Sequence, residues 1–383
     1  MSSNETPVLI IGAGPAGLAV AGNLRRAGVP FEMIEQSRHV GESWRNHYDR
    51  LHLHTVKELS SLPYLEFPEE YPRYVSRQQM VDYFERYAAH FDIKPHFEQE
   101  VISIKKGANQ EWIVETEQGL KFVSRQVVIA TGVNRTPYRP YFDGEENFQG
   151  AIIHSRAYRN PEPFVDQRVL VIGMGNTGAE IALDLYEAGI KCALSVRSPV
   201  NIVPRDVFGR PTQLTALMLA KLPDWLGDRL GLLIRRLVVG NLSRYGIRAP
   251  KLPPAKQLRV EGKTPVIDLG TLPLIKAGKI KILPGIDHFT TDGVVCNDGS
   301  QHSFDAVILA TGYRARVQDF LEDIEPLLDQ YEAPRGCIGE GDFEGLYFIG
   351  FDNYTPGGIL GTIRRDSATI AESVAQKVSR LVT

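Results

Sequence analysis

Residues 8–17 read Val-Leu-Ile-Ile-Gly-Ala-Gly-Pro-Ala-Gly, a short apolar run followed at once by a glycine-rich turn. A continuous apolar run of this length is typical of a buried parallel strand. A helical pattern follows from Leu18 to Ala27, and Phe31 to Glu35 predicts the next strand. This stretch therefore predicts a βαβ unit at the start of the chain.

The same pattern recurs near the middle of the chain. Residues 169–172 are apolar, 173–178 are glycine-rich, 179–188 have a helical pattern, and 192–196 predict a strand. A repeat of this kind within one chain indicates two copies of the same supersecondary unit. We therefore predict an α/β protein with two dinucleotide-binding, Rossmann-like domains of the three-layer ββα type.

Each glycine turn has the spacing that can hold a pyrophosphate. In the first turn Gly12 permits the tight bend, Gly14 lets the pyrophosphate approach the backbone, and Gly17 lets helix and strand pack closely. The glycines at 173–178 repeat this spacing. In both turns the free N–H groups at the start of the helix are expected to bind the anion.

The residues at the two following strand ends carry opposite charges. Glu35 lies 18 residues after Gly17, whereas Arg197, followed by Ser198, lies 19 residues after Gly178. A carboxylate accepts hydrogen bonds from ribose hydroxyls and repels a 2′-phosphate, whereas a guanidinium can bind a 2′-phosphate through charge-assisted bonds of roughly 1.5–3 kcal/mol each. The first site is therefore predicted to hold FAD, and the second NADPH, which would reduce the flavin.

These patterns give two sets of candidate cofactor-binding residues. The predicted FAD contacts are Gly12, Gly14, Pro15, Ala16, Gly17, Glu35, Gln36, Trp44, Val101, Thr131 and Gly132. The predicted NADPH contacts are Gly173, Gly175, Asn176, Thr177, Gly178, Arg197 and Ser198. The sequence assigns no catalytic residue and predicts no metal site.

The simplest layout inserts the second domain into the first. We predict an FAD-binding domain of residues 1–155 and 290–383, and an NADPH-binding domain of residues 156–289. Alternating stretches with turn signals predict small antiparallel inserts. A Leu-rich helical insert at about 211–247 either packs on the core or lines a substrate pocket, or else contacts a membrane surface or a partner.

The length, net charge and cysteine spacing of the chain exclude several classes of protein. The chain has 383 residues, enough for two domains, and its net charge of −3 gives no general attraction to nucleic acid. Cys192, Cys296 and Cys337 include no Cys-x-x-Cys pair, and the N-terminus lacks the pattern of a signal peptide. We expect a cytoplasmic protein with no transmembrane segment, acting on a small substrate and O2, that can form a homodimer.

One motif between the two glycine turns carries a family resemblance. Phe148-x-Gly150-x-x-x-His154-x-x-x-Tyr158 matches, at every fixed position, the identifying motif of the class B flavin-containing monooxygenases. The chain resembles this family over essentially its whole length. The resemblance implies that His154 and Tyr158 link the two domains and position NADP(H), rather than act as acid and base.

Within that family the chain is most similar to the plant YUCCA-type enzymes. The stretches that carry this resemblance are 48–54, 196–200, 203–205, 240–242, 262–266 and 278–281. It implies the oxidative decarboxylation of indole-3-pyruvate with NADPH and O2 through a flavin C4a-(hydro)peroxide. The His54-Thr55-Val56 stretch before Lys57-Glu58 lacks the Asn of the animal enzymes, which favours the YUCCA-like interpretation.

Other activities stay open from the sequence. The main alternatives are the oxygenation of nitrogen or sulfur in soft nucleophiles and an uncoupled NADPH oxidase. A flavin disulfide reductase would need a redox-active cysteine pair, which the sequence lacks. A non-catalytic nucleotide sensor would not need both glycine turns. Arg205, Arg364 and Arg365 are candidates for binding a substrate carboxylate. Residues 358–362 are expected to contact the flavin.

Overall fold

The computed structural model describes residues 4–382 as a chain of alternating strands and helices. In chain order the strands are β1 Asn4–Glu5, β2 Val8–Ile11, β3 Glu32–Ile34, β4 Val101–Lys106, β5 Trp112–Thr116, β6 Lys121–Ser124, β7 Gln126–Ile129, β8 Thr136–Pro137, β9 Ala151–His154, β10 Arg168–Ile172, β11 Lys191–Ser195, β12 Ile202–Pro204, β13 Asp206–Val207, β14 Arg210–Pro211, β15 Val266–Asp268, β16 Lys281–Leu283, β17 Ile286–Thr290, β18 Gly293–Cys296, β19 Gln301–Ser303, β20 Ala306–Leu309, β21 Tyr313–Arg314 and β22 Leu346–Phe348. The α-helices are α1 Pro15–Arg26, α2 Glu42–Arg45, α3 Arg77–His90, α4 Asn176–Glu187, α5 Thr212–Leu219, α6 Asp224–Val238, α7 Pro254–Glu261, α8 Thr271–Lys276 and α9 Ile359–Val382.

The first domain is a three-layer ββα arrangement around a parallel sheet. Its strand order is β22-β7-β2-β3, so β2 lies inside the sheet. Val8 and Ile10 pack in a core with α1 and α9, whereas Leu9 and Ile11 pack in a second core with β4, β5 and β6. Because both faces of β2 are buried, the strand is a continuous apolar run rather than an alternating one.

The second domain repeats this plan. Its parallel sheet has the order β16-β11-β10-β20-β9, and the three-stranded antiparallel sheet β17-β18-β19 covers one face. Val169 and Val171 pack in a core with α4, whereas Leu170 and Ile172 pack in a core with residues of β17 and β18. The predicted repeat of two Rossmann-like folds, and the predicted antiparallel inserts, are both present.

The strand pairing moves the boundaries of the second domain. β9 and β20, which the sequence analysis assigns to the first domain, pair with each other, and β20 also pairs with β10. The second sheet therefore spans about 151–309, and the expected boundaries at 155 and 290 are corrected outward. Hydrogen bonds between distant strands decide this point, and the local pattern of an apolar strand does not reveal its partner.

The expected Leu-rich insert forms two helices, α5 and α6, preceded by the small hairpin of β13 and β14. The helices pack through Leu219, which lies against Gly227 and Gly231 of α6. α5 also contacts the first domain, because the Gln213 side chain accepts a hydrogen bond from Val56 N at 2.8 Å. The insert therefore connects the two domains.

Among residues 4–382, no helix combines the length and apolar character needed to cross a bilayer.

Candidate functional site

A deep cleft lies at the carboxyl ends of the first sheet. Its walls come from the turn after β2, the end of β3, α2, the start of β4, the turn after β7 and the start of α9. The predicted FAD contacts that line it are Gly12, Gly14, Pro15, Ala16, Glu35, Gln36, Trp44, Val101, Thr131 and Gly132. Ligands of open parallel sheets bind at this edge.

The backbone of the first turn shows why each glycine is needed. Gly12 has φ of +105°, and a Cβ there would lie 2.7 Å from Ala130 O. A Cβ on Gly17 would lie 1.9 Å from Gly12 O, so Gly17 supports the turn from behind and does not line the cleft. Apart from its chain neighbours, no described residue has an atom within 4 Å of a Cβ built on Gly14, which leaves room for a pyrophosphate beside the N-terminus of α1.

Glu35 connects the glycine turn to the end of β3. One carboxylate oxygen accepts a hydrogen bond from Ala13 N at 2.7 Å, and the other accepts one from Ser37 N at 2.9 Å. Each oxygen has further lone pairs, so the carboxylate can still accept bonds from both ribose hydroxyls. The side chain is buried, which fixes its position before any ligand binds.

A buried hydroxyl in the same cleft has no hydrogen-bond partner within residues 4–382. It is Thr131 Oγ1, and Thr131 lines the cleft. A buried polar atom without a partner costs about 1–3 kcal/mol, so such an atom at a cleft wall fits a polar ligand. Together with the space beside Gly14, this shows that the cleft fits a dinucleotide.

The second turn has nearly the same backbone. Gly173 has φ of +106°, and a Cβ on Gly178 would lie 2.0 Å from Gly173 O. Gly175 is open, as Gly14 is. Asn176 opens α4, but its side chain accepts a hydrogen bond from Ile267 N at 2.7 Å and so is directed to β15. Thr177 follows it in the first turn of the helix.

The end of β11 presents positive charge to solvent. Arg197 and Ser198 are exposed, and Arg197 has no ion pair among residues 4–382. The Arg248 guanidinium donates to Arg197 O at 2.5 Å and is likewise exposed. Two guanidinium groups therefore flank this strand end, whereas the equivalent position in the first domain carries a buried carboxylate. Sequence reasoning missed Arg248 because it lies 51 residues beyond Arg197.

His154 holds a fixed position at the end of β9. Its Nε2 lies 3.1 Å from Gly312 O, and its Nδ1 accepts a hydrogen bond from Arg156 N at 3.1 Å. Burial lowers the pKa of His154, and the bond to Gly312 opposes this shift only in part. With both ring nitrogens bonded to backbone, His154 is held against the turn after β20. The role in linking the domains and positioning NADP(H) that the resemblance implies for His154 stays a prediction.

Tyr158 is buried in the second domain and does not reach the cleft. Its hydroxyl donates to an Asp184 carboxylate oxygen of α4 at 2.7 Å, and its ring stacks on Phe164. Burial and this bond raise the pKa of Tyr158 well above its ordinary value. Through this bond Tyr158 fixes α4, the helix that follows the second glycine turn. The role in positioning NADP(H) that the resemblance implies for Tyr158 stays a prediction.

An ionic network joins α4 to the first domain. The Tyr48 hydroxyl donates to Glu180 at 2.9 Å, and His54 Nε2 lies 3.1 Å from the same carboxylate oxygen. Arg50 donates to Glu187, about two turns further along α4, at 2.8 Å. Because Glu180 is almost completely buried, these partners are needed to offset its desolvation. The network fixes the second nucleotide turn relative to the FAD cleft.

The cleft also contains His47 and Arg156, which sequence reasoning did not select. Burial, with the Arg156 and Arg159 charges, lowers the pKa of His47 from 6.5 to about 4. Arg156 stacks over Tyr313 at 5.0 Å and has no carboxylate partner among residues 4–382. Only its position between His154 and Tyr158 in the motif could have identified Arg156 from the sequence. Arg156 could balance an anionic group in the cleft.

The remaining candidates lie elsewhere or already have partners. Arg364 bonds Ser61 and Glu66, Arg365 bonds Asp352 and Asp366, and Arg205 stacks on Tyr74 at 4.1 Å. Of the segment expected to contact the flavin, Ile359 and Leu360 line the cleft. None of the three cysteines lines it, and all are free thiols, which disfavours disulfide chemistry at the flavin.

The comparisons with known proteins agree with this geometry. The model of the flavin-binding monooxygenase-like family matches residues 5–330. The chain belongs to the flavin-binding monooxygenase-like family. It is therefore a flavin-dependent monooxygenase, and the predicted flavin cofactor, fold class and enzyme class are confirmed.

Two curated relatives and one solved structure show how far the similarity extends. The chain is 40% identical to the "Probable indole-3-pyruvate monooxygenase YUCCA3" of Arabidopsis thaliana, over 96% of this chain and 86% of that protein. It is also 40% identical to the indole-3-pyruvate monooxygenase YUCCA1 of Oryza sativa subsp. japonica, over 96% and 90%. A flavin-containing monooxygenase from Stenotrophomonas maltophilia superposes with a TM-score of 0.75 at 20% identity, covering 98% and 99% of the two chains. The resemblance to YUCCA-type enzymes is confirmed.

Proposed function

We propose that this flavin-binding monooxygenase uses FAD, NADPH and O2 to decarboxylate an aromatic 2-oxo acid oxidatively, with indole-3-pyruvate as substrate. One observation carries the proposal: two glycine turns of matching geometry end in oppositely charged strand tips, Glu35 and Arg197, in a chain similar along 96% of its length to indole-3-pyruvate monooxygenases. The paired turns supply a reductant site beside a flavin site. The substrate in the names of the relatives indicates the compound that this enzyme oxidises.

The reaction balances with these reactants. The 2-oxo acid, O2, NADPH and one proton give the acid with one carbon fewer, CO2, NADP⁺ and water. One oxygen atom of O2 enters the new carboxylate and the other leaves as water. The flavin, when bound, accepts the hydride from NADPH and activates O2; the protein binds the cofactors, orients them and excludes water.

Different residues bind the two cofactors and hold the two sites in place. The turn at Gly12–Gly17 and the N-terminus of α1 hold the FAD pyrophosphate, and Glu35 binds the adenosine ribose. Arg197 and Arg248 bind the 2′-phosphate of NADPH, and the exposed Ser198 adds a hydroxyl donor. His154 fixes the turn at Gly312, and the Glu180 network fixes the distance between the nucleotide sites.

A product assay tests the proposal. Holoenzyme with NADPH, O2 and indole-3-pyruvate should release indole-3-acetate and CO2 in a ratio to NADPH consumed that approaches one. An aryl methyl sulfide and a tertiary amine, assayed in parallel, should give little oxide. Oxides formed without turnover of the oxo acid would favour heteroatom oxygenation. Stoichiometric H2O2 with every substrate would indicate an uncoupled oxidase.

We further propose a cytoplasmic location, which the three unpaired thiols fit. We also propose that the protein can form a homodimer, which light scattering of the FAD-loaded full chain tests: the mass of a monomer at every concentration would contradict it.

A further inference from the structure

The Leu-rich insert leaves large apolar side chains in solvent. The basic-apolar surface, as we define it, comprises the hairpin tip Phe208–Arg210 with α5 and α6. On α6, Trp225, Leu233 and Leu237 are 62%, 53% and 77% exposed. Their spacing of eight and four residues places them on one side of the helix. Such a stripe of exposed large residues marks an interaction surface.

The hairpin and α5 extend this surface. Phe208 is completely exposed at the tip between β13 and β14, and its φ of +50° is unusual for a bulky residue. On α5 and just beyond it, Leu214, Met218 and Leu222 repeat every fourth residue and are also exposed. Burying these residues against a partner would remove a large apolar area from water, and the described chain offers nothing that covers them.

The charged residues around the stripe are basic. Asp224 and Asp228, the two acids of α6, are both ion-paired with Arg259 of α7. Arg229 and Arg236, on the exposed side of α6, have no acidic partner among residues 4–382. The same holds for Arg210 of the hairpin and Lys221 after α5. Positive charge beside an exposed Trp and Leu stripe is complementary to an anionic lipid surface.

The charge distribution over the whole chain also favours an anionic partner for this surface. Residues 208–260 contain ten Lys and Arg but two Asp and Glu, whereas the chain as a whole carries a net charge of −3. The rest of the protein is therefore acidic, and a second copy would present the same basic surface to this one. Charge repulsion disfavours that pairing and favours an anionic partner.

This surface lies beside the opening of the flavin cleft. Gln213 of α5 donates to Gly357 O at 2.7 Å, two residues before Ile359, which lines the cleft. Leu217 lies against Gly357 as well. Docking through α5 and α6 would thus place the region of the cleft next to the docked surface.

We propose that the basic-apolar surface binds the face of an anionic phospholipid bilayer. α6 lies in the interface with Trp225, Leu233 and Leu237 among the acyl chains, Phe208 inserts at the hairpin tip, and Arg229 and Arg236 contact lipid phosphates. This is peripheral binding by an amphipathic helix that does not span the bilayer. It adds a membrane partner to the proposed enzyme and does not depend on the identity of the substrate.

Vesicle sedimentation tests the proposal with the FAD-loaded full chain. Vesicles of phosphatidylcholine with phosphatidylglycerol should bind the protein, and raising the salt from about 0.1 M to about 0.5 M should release it, because salt screens the lipid charge. A triple variant Trp225→Ser, Leu233→Ser, Leu237→Ser should lower the partition coefficient at least about ten-fold. The matched control Ile102→Ser, Tyr141→Ser, Val165→Ser removes residues that are 52%, 69% and 58% exposed elsewhere, and should bind as the wild type does.

A second measurement keeps the test valid if the triple variant folds poorly. Anionic vesicles should shift the tryptophan emission of the wild type to shorter wavelength, and Trp225→Phe alone should abolish that shift, since Trp112 is buried and Trp44 is partly buried. Equal binding to pure phosphatidylcholine, or no vesicle binding, would overturn the proposal. So would a dimer in light scattering that the triple variant converts to monomer while vesicle binding is absent.

Discussion

The two nucleotide turns have nearly the same geometry at their glycines but differ in the side chain at the strand end that follows. A Cβ on the third glycine of each turn would lie 1.9 or 2.0 Å from the carbonyl oxygen of the first glycine, whose φ is +105° or +106°. At the next strand end, however, Glu35 stands in one domain and Arg197 in the other. The backbone turn thus determines that a dinucleotide binds, and one side chain selects which dinucleotide.

The two side chains are also held differently. Glu35 is buried and receives hydrogen bonds from two backbone N–H groups, whereas Arg197 is exposed beside Arg248 without an acidic partner among residues 4–382. A ribose bound inside a cleft needs an acceptor fixed in advance. A doubly charged phosphate at the surface can be bound by longer, mobile side chains.

The largest expected effect comes from filling the space behind each turn. Gly17→Ala places a methyl group 1.9 Å from a backbone oxygen, so we expect at least about 3 kcal/mol of destabilisation, a melting temperature lower by roughly 6–10 °C, and loss of most bound flavin. Gly178→Ala should keep its flavin but lose reduction by NADPH. Absorbance of bound flavin and anaerobic reduction rates measure the two outcomes. Equal flavin loss in both variants would contradict the separation of the sites.

Reversing the charge at the second site should invert its preference. We expect Arg197→Glu to lower the ratio of kcat/KM for NADPH over NADH by about 100-fold, because about 3 kcal/mol of phosphate binding is lost. Arg248→Ala should lower it by about ten-fold. Arg125→Glu, an exposed arginine of the first domain, is the control. An unchanged ratio in Arg197→Glu would leave the second site without a basis for selecting NADPH.

The FAD cleft should also respond to acid through His47. The pKa of His47 in the FAD cleft is lowered to about 4, so between pH 6.5 and pH 4 the unfolded chain binds a proton that the folded chain does not. Stability therefore falls as the pH falls through this window, by about 2–3 kcal/mol from this residue. Between pH 6.5 and pH 4.5 the free energy of unfolding of His47→Gln should therefore fall less than that of the wild type. Urea unfolding at the two pH values measures both. Identical pH profiles would show that His47 is not buried in its neutral form.

The smallest expected effect is at the first strand end. Glu35→Gln keeps one oxygen as an acceptor but loses the other and its charge, so FAD binding should weaken about ten-fold, equivalent to about 1.4 kcal/mol. The NADPH-to-NADH ratio should not change. Titration of the apoprotein with FAD gives the affinity. A change in nucleotide preference without a change in FAD affinity would contradict the assignment of Glu35.

The sequence predicted those features that depend on short stretches of chain. The apolar run at 8–11, the glycine spacings and the charges at Glu35 and Arg197 are local, and each lies where the pattern indicates. The domain boundary was wrong because β9 and β20 reveal their sheet only through distant partners. His47 and Arg248 were missed for the same physical reason, since burial and neighbouring charge arise from tertiary contacts.

Selection by the 2′-phosphate can be measured most directly by competition with nucleotide fragments. Adenosine 2′,5′-bisphosphate and 5′-AMP differ by that single group, so the inhibition constant of each against NADPH isolates its contribution. We predict that the bisphosphate inhibits about 100-fold more strongly, and that neither fragment displaces FAD. Equal inhibition by the two fragments would contradict the assignment of NADPH to the turn that ends at Arg197.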